Sequence, residues 1–446
     1  MSTKINGFTE EKDDQSSKLN DLLSKDSSDF KNIITKPIIL DSLNRNVKEI
    51  RQYLSKHLPR LLKLAICNSK SIESLSAMKI LTSKNASKIT NLVKTSFFTD
   101  FTTELLSKDN VSPMIVGRLS EIALNLFSSG NLDFLSHAGF VILFLKYLDN
   151  CSVCELFLSL FDYKKKMTVS QDWLFEIRFD SEIALILKKL LKDDISCDGY
   201  SFQQESSISL LRIINKALEN WRTRPQILNG PILSVFLDYY HLPTHVNNFY
   251  WQTVNSLHDP ITKDQLLMYA KEARSILINP IDEIHMYHSE ALQFLKKYIG
   301  CNPELFDTEL IKSVISLMMQ FEKCQLFLIE SADLILTICQ TKDLSPKIEK
   351  YIPLFIDEAD DDKRSPFQII SLAIAKELYI NQLTNGIFNK ANKSSTFVKN
   401  TLLPYIQKLN SEYGVSPDDI IEVPDPIQVI DDKKTFWDIF SKLTVP

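Results

Sequence analysis

Residues 134–161 read FLSHAGFVILFLKYLDNCSVCELFLSLF. Two strongly apolar runs, 140–148 and 152–161, flank a short polar break at Asp149 and Asn150. Neither run alternates apolar and polar residues as a half-buried strand would. Both predict inner helices buried on all sides. The longest uninterrupted apolar stretch, 138–145, is far short of the roughly 20 residues that span a bilayer.

The same grammar extends in both directions. Toward the N-terminus, periodicity predicts helices over 47–54, 60–66, 72–81, 86–93, 97–106 and 113–127. In 72–81, Ile72, Leu75, Met78 and the Ile80-Leu81 pair share the expected buried face. Toward the C-terminus, helices are expected over 179–191, 203–221, 232–240, 246–257, 281–299, 303–321, 325–341, 347–357, 367–384 and 396–412. Proline at 113 suits a first helical turn. Gly130, Gly199, Gly230 and Gly300 are expected at helix ends in the left-handed conformation. Residues 169–179 read as loop and short helix.

Composition supports the same class. Nine glycines in 446 residues is about 2%, against a usual value of about 7%. Glycine-rich phosphate loops, sandwiches and propellers need more. The expectation is an all-α, HEAT/armadillo-like α-solenoid of about eighteen helices. Its unit would be a degenerate helix pair of about 40–47 residues, because only the apolar period must recur. The solenoid is expected over 37–415. A polar, acidic and disordered tail is expected over 1–36. A Pro/Asp-rich tail over 416–446 is expected to end in a short amphipathic helix at 435–443.

Charge and motifs narrow the function. With 51 Lys+Arg against 56 Asp+Glu, the formal charge is −5. That balance argues against a nucleic-acid partner. The basic run Lys164-Lys165-Lys166 reads as a solvated helix end or a local patch for an acidic partner. The acidic run at 357–362 reads as a solvated loop or a strip for a basic one. No secretory leader is apparent, so a reduced, cytoplasmic location, extending to the nucleus, is expected. The CxxC spacing of Cys151 and Cys154 lacks a second pair and reads as structural thiols. His241/His245 and His285/His288, the latter near Glu290, do not match a metal motif. No phosphate-binding glycine motif or nucleophile elbow occurs. The expectation is no catalytic residue, no metal, no cofactor, no small-molecule substrate and no membrane span. Ser112, Ser345, Ser365 and Ser416 each precede proline, and the last three are candidate phosphorylation sites. Ser365, beside Lys363 and Arg364, suits phosphate best.

One resemblance adds to this reading. Residues 71–106 (SIESLSAMKILTSKNASKITNLVKTSFFTDFTTELL) are similar to the opening of the SAPS family, regulatory subunits of protein phosphatase 6 and their fungal counterparts. The likeness continues in order through PMIVGRLSEIALNLF at 113–127, FLSHAGFVILFLKYL at 134–148, SVCELFLSL at 152–160 and Trp173-Leu174, and weakly to residue 220. Ile142 and Phe157 depart from the family's pattern, and Lys164–Lys166 occupies its variable loop. The resemblance implies a non-catalytic scaffold subunit that binds the catalytic subunit of a phosphatase-6-like Ser/Thr phosphatase and positions its substrates. The shared residues, including Phe140, Leu148, Ser152, Leu156 and Trp173, are core-type, so they do not name the partner-binding residues. A helical-repeat adaptor unrelated to phosphatases, acting in transport or cytoskeletal assembly, is the alternative.

Overall fold

Short-range chemistry starts most helices. Ser71 caps Ile72–Leu81 by accepting the Ser74 N–H, and Asn150 caps Cys151–Phe161 by accepting the Ser152 N–H. Ser201 and Gln204 form a reciprocal capping box at Phe202–Glu219. Asp307 caps Thr308–Gln320. Proline opens Pro37–Asn44, Pro113–Ser128, Pro231–Val235 and Pro366–Ile380. These bonds satisfy N–H groups that a helix start otherwise leaves orphaned.

The computed structural model describes residues 19, 22–23, 29–90, 96–108, 110–128, 132–192, 201–341, 343–348, 351–359, 365–380 and 397–412. Its regular structure is entirely helical, with no strand among the described residues. Helices there exceed the eighteen expected. One reason is that expected elements are split: 347–357 appears as Ser345–Ile348 and Ile352–Ala359, and Arg224–Asn229 precedes Pro231–Val235. Another is Leu267–Ile278, a helix the apolar pattern passes over. Residues 169–179 include the helix Thr168–Glu176.

The packing falls into two units, Met1–Val246 and Asn247–Pro446. In the first unit, alternate helices pack in two rows. Ile72–Leu81 meets Pro113–Ser128, which meets Cys151–Phe161, which meets Phe202–Glu219. The other row runs from Ser96–Leu106 through Ala138–Tyr147 and Phe179–Lys192 to Pro231–Val235. In the second unit, Met286–Lys296, Gln325–Gln340 and Pro366–Ile380 form one row. Leu267–Ile278, Thr308–Gln320 and Ser345–Ile348 form the other.

Long-range side-chain bonds tie successive helix pairs together within each unit, several of them at similar sequence offsets. In the first unit, Asn85 donates to the Leu43 carbonyl, Arg118 to Ser74, Asn125 to the Leu81 carbonyl and Ser170 to the Phe127 carbonyl, all 42–44 residues apart. In the second, Asn255 to Glu290, Gln293 to Glu330, Ser313 to the Leu277 carbonyl and Lys347 to the Phe306 carbonyl span 35–41. Apolar side chains fill the interior of each unit. Trp251, Tyr269 and Phe294 are fully buried and meet edge to face.

Four expectations are corrected. The run at 140–148 is not an α-helix buried all round. Ala138–Tyr147 is a 3₁₀-helix with Lys146 exposed and Ile142 and Leu143 half-buried. Its three-residue turn aligns Ala138, Val141 and Phe144, each 0% exposed, in one inward row. In Ile72–Leu81, Ile72 and Leu75 face solvent, 70% and 47% exposed, while Ser74 is fully buried. Among the described non-glycine residues, the left-handed ones are Asn46, Asn110, Lys166 and Arg178, whereas Gly230 has φ −100 and Gly300 is not left-handed. Glycine is needed at Gly230 because a Cβ there would collide with the Gln226 carbonyl oxygen. Finally, packed chain begins before Pro37: Phe30–Ile34 is helical, with Phe30 3% exposed. Gly130, Gly199, residues 360–362 and the 416–446 tail with its amphipathic helix lie outside the described residues.

Candidate functional site

The first unit carries an open groove across three successive helices of one row. One part, about 410 Å³, is bounded by Glu121, Glu155, Leu158, Glu205, Ile208 and Arg212. An adjoining part of about 380 Å³ shares Glu121 and Leu124 and adds Asn125, Lys165 and Met167. Because Pro113–Ser128, Cys151–Phe161 and Phe202–Glu219 lie side by side, each contributes one wall or floor strip. Gly117 sets the approach of the first two, since a Cβ there would stand 3.3 Å from the Ser152 hydroxyl.

The groove's chemistry is mixed. Glu121, Asp149, Glu155 and Glu205 outnumber Lys165 and Arg212 around an apolar floor of Leu124, Leu158 and Ile208. Lys165 is held within the wall, donating to Ser159 at 2.5 Å and lying 3.9 Å from Glu155. Ser159 also donates to Glu155 at 3.0 Å. Such a surface suits a polypeptide that brings apolar side chains and positive charge.

The thiols of the CxxC spacing meet this groove. Cys151 is exposed and Cys154 is 3% exposed, and both are free. Burial pushes the Cys154 thiol above its ordinary value, against a hydrogen bond from Ser209 and the nearby Arg212 charge. Cys154 is therefore a protonated packing residue at neutral pH.

The histidines take structural positions. His288 is 2% exposed, and its Nδ1 accepts the His285 N–H at 2.9 Å, capping Met286–Lys296. Burial lowers its pKa to about 4, so the ring is neutral. Glu290 accepts from Asn255 at 2.7 Å, and burial raises its pKa above the carboxylate range. Glu330 is raised for the same reason while accepting from Gln293. His245 bonds Gln204 at 2.8 Å, while His241 stands edge-on to Tyr239. Among the described residues, no group of three or more His, Cys, Asp or Glu side chains could hold a metal ion.

Of the serine-proline sites, Ser365 is described in full. Its Oγ accepts the Gln368 N–H at 3.0 Å and caps Pro366–Ile380. Ser112 Oγ donates to Asn68 at 3.3 Å. Ser345 opens the short helix Ser345–Ile348, its side chain lying outside the described set, as does Ser416 altogether.

Two important residues were missed in the sequence. Arg118 is 9% exposed and donates to the Ala65, Cys67 and Ser69 carbonyls and to Ser74, with no carboxylate partner among the described residues. Lys376, 3% exposed, lies 3.2 Å from Glu377. An arginine and a lysine inside amphipathic helices read as surface charges, and no local signal distinguishes them.

No protein-family model matches the chain, and no curated protein matches it either. No described helix is long and apolar enough to cross a membrane.

Proposed function

We propose that the chain is a HEAT/armadillo-like scaffold subunit of a Ser/Thr phosphatase related to phosphatase 6. The observation that carries this reading is the stacking of successive helices in each unit, tied by side-chain bonds such as Arg118 to Ser74 and Gln293 to Glu330, 44 and 37 residues apart. Helix pairs stacked on their neighbours are the repeat unit of such arrays, which offer long faces to other macromolecules. The resemblance of 72–173 to the SAPS family supports the phosphatase as the partner. Catalysis and its metal ions would belong to that partner. The scaffold would act by holding enzyme and substrate together, raising their effective concentration. The cytoplasm and nucleus are the proposed locations. The acidic groove across Pro113–Ser128, Cys151–Phe161 and Phe202–Glu219 is the proposed contact with the catalytic subunit.

Affinity purification of the tagged chain with mass spectrometry tests this. A phosphatase catalytic subunit should be recovered in near-stoichiometric amount. Charge reversal of Glu121, Glu155 and Glu205 to Lys should reduce its recovery. Recovery of a different abundant partner and no phosphatase would favour the transport or cytoskeletal adaptor instead.

A further inference from the structure

Trp221 is 73% exposed, yet the turn that carries it is held on both sides. Asn220, 1% exposed, donates to the Phe161 carbonyl at 3.0 Å, and its Oδ1 accepts the Arg222 N–H. Thr223, also 1% exposed, donates to the Ala217 carbonyl at 2.5 Å. Arg222 makes a two-pronged bond to Asp172 at 2.8 and 3.1 Å, with its guanidinium 5.8 Å from the Trp221 ring. The main chain on either side of the Trp221 indole is thus anchored, so a binding event has little backbone order left to impose there.

The adjacent turn repeats the arrangement. Asp162 accepts the Lys164 N–H at 3.0 Å and shapes the turn Tyr163–Lys165. Tyr163 is 48% exposed, with the Lys164 ammonium 5.9 Å from its ring. Lys166 closes the turn at φ 54, a conformation in which a residue with a Cβ is strained. The two turns are tied together by the Asn220–Phe161 bond and by Lys216, 4.0 Å from Asp162. The edge thus presents two aromatic rings, each beside a cation.

The charges show what would cover it. Asp162 and Glu219 are engaged by Lys216, and Asp172 by Arg222. Among the described residues, Lys164 and Lys166 have no ion-pair partner. Exposed Trp, Tyr and Arg are the residue types that dominate binding energy at interfaces. The uncompensated charge is positive, so the complementary partner is negative. The two exposed rings favour a polypeptide, whose apolar side chains can pack on them, as the bearer of that negative charge.

We infer that the paired turns of Tyr163 and Trp221 are a docking edge for an acidic protein segment, whose apolar side chains pack on the two rings while its carboxylates meet Lys164 and Lys166. This edge goes beyond the phosphatase reading and does not depend on it.

The test is fluorescence anisotropy on the full chain with a short labelled peptide of Asp, Glu and Leu. A Lys-for-acid peptide, an oligothymidylate and phosphatidylserine vesicles form the other arms. The acidic peptide should bind saturably and weaken as salt rises. Trp221→Ala should weaken it by about tenfold or more. Lys164→Glu should weaken it by a similar factor. Lys166→Asn removes a charge and suits the left-handed turn, so it should weaken binding with no fall in the thermal midpoint. Absence of saturable acidic-peptide binding, or Trp221→Ala binding as tightly as the parent, would overturn the inference. Binding of oligothymidylate or vesicles in place of the peptide would overturn it equally. Phosphatase co-purification reads out separately and is indifferent to each of these outcomes.

Discussion

The Arg118 guanidinium donates to the Ser74 hydroxyl at 2.7 Å, across 44 residues of chain. The same nitrogen donates to the Ala65 and Cys67 carbonyls, at the C-terminal end of Leu58–Ala65. A cation there meets the negative end of the helix dipole and its orphan carbonyls. The bond also turns Ser74 inward, which rotates Ile72 and Leu75 out to solvent.

Replacing Arg118 with Met should lower stability by about 3 kcal/mol, because buried acceptors lose charged donors. Arg118→Lys should recover little, since a single ammonium cannot reproduce the planar fork that reaches Ser69 and Ser74 together. Urea unfolding midpoints compare the three chains. Equal midpoints for the parent and Arg118→Met would contradict the bridge.

Gly117 is squeezed between Pro113–Ser128 and Cys151–Phe161. Gly117→Ala gains up to about 1 kcal/mol of helix propensity but must displace Ser152, so its net effect should be small. Gly117→Val should wedge the helices apart and cost about 2 kcal/mol. Thermal melts of both variants measure the contrast. A harmless valine would show that the contact relaxes freely.

His288 predicts an acid-sensitive second unit. Its pKa falls from 6.5 to about 4 on burial. Between those values the unfolded chain takes a proton that the folded chain refuses. Its contribution to stability is therefore complete above about pH 6.5 and declines as the pH falls toward 4, by about 2 kcal/mol at pH 5. Glu290 and Glu330, with raised values, act in the opposite direction above the carboxylate range. His288→Asn can keep the cap without the titration. Its stability difference between pH 7 and pH 5 should shrink by about 2 kcal/mol in urea titrations, and an unchanged difference would count against this assignment.

Ser365→Ala removes the acceptor for the Gln368 N–H and should cost about 1 kcal/mol. Ser365→Asp should restore most of it, since a carboxylate caps and also complements the helix dipole. Hydrogen exchange at the first-turn amides of Pro366–Ile380 reads this locally. Phosphate at Ser365 would be expected to protect those amides as aspartate does. Intact-mass measurement on the cellular protein that finds no modification at Ser365 would remove the regulatory meaning while leaving the cap.

Much of the helix inventory was legible because its signals are local. Ser71, Asn150, Ser201, Asp307 and Ser365 each bond an amide two or three residues away, and proline declares a first turn by its own ring. The scarcity of glycine and the 3.6-residue period pointed to an all-helical chain for the same reason. Leu267–Ile278 escaped because its apolar residues are mixed with Lys271, Glu272 and Arg274. The groove was not legible, since Glu121, Glu155 and Glu205 are ordinary helix-surface residues until three helices lie side by side.

An amino-acid string records which residues prefer a helix, and for this chain that preference was strong enough to name the class. It could not record which face of Ile72–Leu81 goes inside, why Ala138–Tyr147 tightens to three residues per turn, or that Asp162 and Asn220 brace neighbouring turns. The inward face and the bracing belong to contacts 44–59 residues apart, where one buried guanidinium or amide outweighs a local apolar stripe. Burial makes the difference: out of water, an unmet carbonyl is costly enough to choose the orientation that apolar spacing alone leaves open.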